Sequence, residues 1–134
     1  MGRRLILDTN ILIDYEHGDF DITQFDDDKL AIAGVTLAEY RYGIEMDSDL
    51  ERVESRENTL REMLKQLEVL VYDENTATVH ARLMAYEHKA GHRCSPHDLI
   101  IAAHAAQTGR IVATRDATAR FGALPGVMYF DVRS

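Results

Sequence analysis

Cysteine is nearly absent from this chain. The single Cys94 among 134 residues excludes an internal disulfide framework and a multi-cysteine zinc site, and it fits a reducing compartment. Long apolar runs are missing too: nowhere do about 18 apolar residues follow one another, so no segment is expected to span a membrane. Arg3 and Arg4 precede only the short run Leu5-Ile6-Leu7 before Asp8 interrupts it, which is too little for the apolar core of a signal peptide. These absences make a cytoplasmic location the expectation. Positive charge is also in short supply. Lys and Arg total 15 against 23 Asp and Glu, and the net charge of −8 has the wrong sign for holding nucleic acid by bulk electrostatics. A nucleic-acid role then requires acids gathered in a pocket that cations neutralise, with basic side chains such as Arg41, Arg93, Arg110 and Arg115 on its rim. The competing reading is a protein that never meets a phosphate backbone.

What is present is ordinary for a folded protein: 46% apolar and 28% charged residues, with no repeat, linker or low-complexity stretch. A chain of this length suits one core, so a single domain over residues 1–134 is expected. Leu5-Ile6-Leu7 reads as a strand that stops on Asp8, followed by a helix from about Ile11 to Gly18. Residues Asp19 to Lys29 read as an acidic loop or short amphipathic helix. Leu30 to Val35 is a second strand, running into a helix on which Leu37, Tyr40 and Ile44 share a face and Thr36-x-x-Glu39 has capping-box spacing. Asp47 to Gln66 is a charged amphipathic helix with a solvated outer face, and Glu68 to Tyr72 a third strand. Asp73 caps a helix with Val79, Leu83, Tyr86 and Ala90 in one stripe and Gly91 at its end. Ser95-Pro96-His97-Asp98 opens a nearly all-apolar helix that Gly109 closes. Strand Arg110 to Ala113, a short helix over Ala117 to Phe121, a Pro125-Gly126 turn and strand Val127 to Phe130 complete the chain. Alternating strands and helices predict an α/β fold with a central, mainly parallel sheet of about four to five strands flanked by helices.

The chemistry of this pattern lies in its acids. Asp8, Glu39 and Asp116 are read as following strands, and Asp98 starts a helix too apolar to face water. Each acid alone has a capping explanation. In an open parallel sheet, however, the carboxyl ends of the strands share one edge, where such folds place their ligands. Two like charges about 4 Å apart repel by roughly 4 kcal/mol even at an effective dielectric near 20, so four converging carboxylates imply a compensating cation. All-oxygen ligation favours Mg²⁺, with Mn²⁺ as a substitute, over Zn²⁺. His88 and His92 have a spacing that metals use, but the helix is read as stopping between them and no third ligand accompanies them. His80, His97 and His104 read as packing or surface residues. Carboxylate-held Mg²⁺ typically acts on phosphates, which predicts phosphodiester hydrolysis.

Leu7-Asp8-Thr9-Asn10-Ile11-Leu12, Thr36-Leu37-Ala38-Glu39-Tyr40-Arg41-Tyr42-Gly43, His97-Asp98-Leu99-Ile100-Ile101-Ala102-Ala103 and Ala113-Thr114-Arg115-Asp116, in this order, resemble PIN-domain ribonucleases, and among them the VapC-type toxins of toxin–antitoxin pairs. The resemblance covers essentially the whole chain. It implies that Asp8, Glu39 and Asp98 bind the metal directly and that Asp116 completes the site, although Thr118-Ala119-Arg120-Phe121 departs from the common form after the fourth acid. Thr9, Asn10 and Thr114 are implied as helpers that orient a carboxylate or a water. Endonucleolytic RNA cleavage, a homodimer and a small VapB-type antitoxin occupying the acidic cleft are further implications.

Rival readings differ in specific residues. A phosphatase with a nucleophilic aspartate generally wants a second acid two residues on, where this chain has Asn10. A receiver-type signalling domain needs a lysine after a late strand, and Ala113-Thr114-Arg115-Asp116 offers none. A catalytically silent PIN-like module that binds RNA or a partner is the third rival, and retention of all four acids argues against it; a stand-alone RNA-processing nuclease shares the motifs and is the other alternative.

Overall fold

A computed structural model describes residues 2–91, 94–116, 119 and 121–132. Five strands form one sheet: β1 (Arg4–Leu7), β2 (Lys29–Ala33), β3 (Leu67–Leu70), β4 (Ile111–Thr114) and β5 (Met128–Asp131). Their order is β3-β2-β1-β4-β5, and every pairing is parallel. The helices are α1 (Thr9–Glu16), α2 (Gly34–Glu45), α3 (Leu50–Leu64), α4 (Glu74–Ala90) and α5 (Pro96–Thr108), with 3₁₀ turns at Ile22–Phe25 and Phe121–Ala123. Among the described residues no helix is long and apolar enough to cross a membrane.

The three central strands are apolar on both faces, as burial of a parallel sheet requires. Strand alternation divides them between two clusters. Leu5 and Leu7 of β1, Ile32 of β2 and Ala113 of β4 pack with Ile11, Leu12, Tyr40, Ile44, Leu60 and Met63, while Ile6, Ala31, Ala33 and Val112 pack with Leu83, Ile101, Ala102 and Ala105. The chain proceeds outward from β1 to β2 and β3, then returns to add β4 and β5 on the other side. The strand order therefore reverses between β1 and β4, leaving a crevice beyond their carboxyl ends, the usual ligand position in such sheets.

Two helix starts differ from their sequence reading. The strand read as Leu30 to Val35 ends at Ala33, and α2 begins at Gly34 without a side-chain cap. Thr36-x-x-Glu39 is therefore no capping box: Thr36 is fully buried, and Glu39 lies in the second turn of α2 rather than at a strand end. No loop separates β2 from α2, so the first backbone N–H groups have no polar residue before them to serve as a cap. On α4 the buried positions are Thr76, Leu83 and Glu87, while Tyr86 is exposed. Glu87 turns inward because its Oε1 accepts the Cys94 N–H at 2.7 Å, tying the end of α4 to the approach to α5. His92, half of the imidazole pair considered above, and most of the short helix read over Ala117 to Phe121 lie outside the described residues.

Candidate active site

Beyond the β1 and β4 ends lies a cleft of about 780 Å³. Asp8, Glu39, Asp98 and Asp116 all line it, together with Thr9, Asn10, Cys94, Ser95 and His97. Asp8 arrives on β1. Its side chain is the N-cap of α1, so the capping explanation holds, but the bond is unusual. Asp8 Oδ1 accepts the N–H of its immediate neighbour Thr9 at 2.8 Å, where an N-cap ordinarily serves the second or third helical residue. The other oxygen, Oδ2, accepts the Thr114 hydroxyl at 2.9 Å. Thr114 Oγ1 in turn accepts the Asp116 N–H at 3.0 Å, so one buried hydroxyl joins Asp8 to the backbone that carries Asp116.

Asn10 performs a related task. Its Oδ1 accepts the Arg115 N–H at 3.3 Å, which ties the first turn of α1 to the segment after β4. Thr9 Oγ1 donates to Glu39 Oε1 at 3.1 Å, joining α1 to α2. Asp98 is the third residue of α5. Ser95 Oγ accepts its N–H at 3.1 Å, and Pro96 sets the first helical position. As expected, the helix body behind it is buried, including Leu99, Ile101, Ala102, Ala103 and Ala105. Asp98 itself is half-buried, facing the cleft.

The electrostatics record how close these acids are in effect. Burial pushes the Asp8 carboxyl up to about 6, the charges of Asp98 and Asp116 add to that rise, and the bonds from Thr114 and Thr9 oppose it. The Asp98 carboxyl is also raised, first by burial and then by Asp116 and Glu39, against the pull of the Ser95 hydroxyl. No Lys or Arg among the described residues lines the cleft to offset this charge. The basic rim expected from the sequence is absent from these positions: Arg41 pairs with Glu57, Arg110 with Glu68, and Arg115 with Asp14. Arg115 also donates to the Asp19 carbonyl and lies 5.8 Å from the Phe20 ring centre, directed along α1 and away from the cleft. Arg93 lies outside the described residues.

The acids share the cleft without closing on one point. Among the described residues no three His, Cys, Asp or Glu side chains form a group that holds a metal ion as arranged. Asp8 and Glu39 are each held by hydrogen bonds from neighbouring hydroxyls and N–H groups. The donor chemistry nonetheless fits a hard divalent cation: four carboxylates, no thiolate partner set and no fixed positive charge among the described lining.

One lining residue makes a contact that the sequence did not disclose. His97, taken as packing or surface, places Nδ1 3.1 Å from Glu39 Oε1. Its signal was its place beside Asp98 in the first turn of α5, which is insufficient without knowing that α2 lies opposite.

A PIN-domain family model matches residues 5–123, which is most of the chain. The chain belongs to the PIN-domain family. Within that family this PIN domain is 34% identical over 131 residues to Ribonuclease VapC5 of Mycobacterium tuberculosis, covering 95% of the chain and 92% of that protein. Its fold superposes with a TM-score of 0.76 on VapBC-5 from Mycobacterium tuberculosis, a member of the VapBC family of toxin–antitoxin systems, at 31% identity and 98% coverage of both chains. DNA-bound VapBC from Salmonella typhimurium is similar with a TM-score of 0.84 at 28% identity, again over 98% of each chain. The similarity to VapC-type proteins expected from the four motifs is thus present along nearly the whole PIN domain.

Proposed function

We propose that this PIN domain is a metal-dependent endoribonuclease, the toxin of a VapBC-type pair, working in the cytoplasm as a homodimer that a small VapB-type antitoxin restrains. The observation that carries the reading is the arrival of Asp8, Glu39, Asp98 and Asp116 in one cleft from four separate parts of the chain, with no basic residue among its described lining. The name of the Mycobacterium relative supports RNA as substrate, and the VapBC neighbours support an antitoxin partner. The homodimer follows the family pattern.

Asp8, Glu39 and Asp98 would hold Mg²⁺, or Mn²⁺ in its place, with Asp116 completing the set. The bound cation would supply an activated water and stabilise charge on the displaced oxygen. The chain's own residues do the positioning. Thr114 orients Asp8 and anchors the backbone of Asp116, Asn10 fixes the segment between β4 and Asp116, and Thr9 holds Glu39. Burial of Asp8 and the lack of basic side chains among the described lining make a cation the natural partner for this charge. The acidic cleft also suits a basic antitoxin segment, which would cover the same carboxylates that substrate needs.

The test is cleavage of structured RNA by purified protein in Mg²⁺, in Mn²⁺ and in EDTA. Wild type should cleave only with metal, Asp98→Asn should be inactive, and both should fold alike by circular dichroism. Wild-type rates from Asp98→Asn would overturn the assignment.

A further inference from the structure

Asn10 stands where a phosphatase would carry a second acid, and its surroundings say what an amide does there that a carboxylate would not. The side chain lines the cleft from the first turn of α1. Its oxygen is already committed, because Oδ1 accepts the Arg115 N–H at 3.3 Å. A backbone N–H only donates, so the atom facing it is the amide oxygen and the nitrogen is turned the other way. That nitrogen has no hydrogen-bond partner among the described residues. The neighbouring hydroxyls are spent on acids: Thr9 donates to Glu39, and Ser95 holds down the Asp98 carboxyl. The Asn10 amide is a neutral, anchored and unused donor beside four carboxylates.

We infer that Asn10 touches the substrate: its Nδ2–H donates to a non-bridging oxygen of the phosphodiester that is cleaved. The inference rests on the ribonuclease reading above. A phosphodiester brings its own negative charge into a cleft with four carboxylates and no Lys or Arg among its described lining. Aspartate in place of Asn10 would set a fifth carboxylate against that charge, whereas an amide of the same shape offers donors and no charge. In the hydrolysis the oxygen of water forms its bond to phosphorus and the bond to the displaced ribose oxygen breaks. That oxygen leaves with the electron pair and takes up a proton released by the water. Asn10 transfers no proton. It meets charge on the non-bridging oxygen with a donor that the Arg115 N–H already holds in place, so no reorganisation accompanies the reaction.

The test uses an RNA hairpin that the wild-type protein cleaves, resynthesised with a single phosphorothioate at the cleaved bond and separated into its Rp and Sp forms. Sulfur accepts an N–H poorly, so in Mg²⁺ the wild type should cut one form about tenfold more slowly than the all-oxygen hairpin. Mn²⁺ should not restore that rate, whereas it should relieve a sulfur placed on the cation. Asn10→Ala should lower kcat on the all-oxygen hairpin about a hundredfold, the lower range for loss of one oxyanion donor, and should cut the sensitive form no more slowly than its oxygen counterpart. Asn10→Asp keeps an acceptor for the Arg115 N–H and loses the donor, so it should be no more active than Asn10→Ala. Four results would each overturn the inference and leave the nuclease reading intact: no unrelieved sulfur penalty in the wild type, wild-type rates from Asn10→Ala, a penalty undiminished in Asn10→Ala, or activity recovered by Asn10→Asp, which a purely anchoring role predicts. A wild-type protein that cleaves no RNA in Mg²⁺ would overturn both.

Discussion

Asp8 makes a quantitative demand on stability that can be checked without any RNA. Its carboxyl is pushed from an ordinary 3.8 to about 6, chiefly by burial. An acid whose folded value is raised binds its proton more tightly in the folded state, so the charged form opposes folding. The cost is small near pH 4, grows as the pH rises and is complete above about pH 6, where it amounts to about 3 kcal/mol. Asp8→Asn removes the charge at nearly constant volume. The amide oxygen keeps the Thr9 N–H, and the amide nitrogen faces Thr114 Oγ1, with a hydrogen-bond rearrangement of about 1 kcal/mol to deduct. In EDTA near pH 8 the variant should therefore be about 2 kcal/mol more stable than wild type, equivalent to an upward shift of about 1 M in the urea midpoint. Near pH 4 the advantage should disappear, and titrating groups remote from the cleft cancel in the comparison. Millimolar Mg²⁺ should raise the wild-type midpoint and leave the variant's unchanged. An equal or lower midpoint for the variant near pH 8, or a gain independent of pH, would refute the claim that buried charge is held there at a cost.

Two further substitutions test the framework around the cleft. Thr114→Val keeps the shape but leaves Asp8 Oδ2 and the Asp116 N–H without their shared hydroxyl, so urea unfolding near neutral pH should show a loss of about 2–3 kcal/mol. Arg56 joins Glu16 of α1 and lies over the Tyr40 ring at 5.3 Å from its centre, with both charged side chains largely buried. Arg56→Met should cost about 3 kcal/mol near neutral pH by stranding Glu16, and adding Glu16→Gln should return much of that, as a double-mutant cycle will show.

Features decided by neighbours in the chain were legible in the sequence. Ser95, Pro96 and Gly109 bracket α5 through cap chemistry that acts within a few residues, and Asp73 and Gly91 do the same for α4. The short apolar runs of β1, β2 and β4, alternating with helices, disclosed a mainly parallel sheet, though strand ends fell one or two residues from their observed places. Glu39 shows where local reasoning stops. Its spacing from Thr36 matches a capping box, yet what governs it is the direct passage of β2 into α2 and the presence of Thr9 and His97 across the cleft. The arginines fail for the same reason. Arg110 and Arg115 were read as rim residues because Glu68 and Asp14, their partners, are distant in sequence.

The order of the strands has a consequence for synthesis. β1, made first, is the central strand, and it lies between β2 and a β4 that emerges from the ribosome some hundred residues later. Until β4 is inserted, Asp8 lacks the Thr114 hydroxyl, Asn10 lacks the Arg115 amide, and Asp116 has no strand to follow. A nascent chain can thus form β1, β2 and β3 with their helices and still have no acidic cleft. The acidic cleft is therefore among the last parts of the domain to be completed during synthesis.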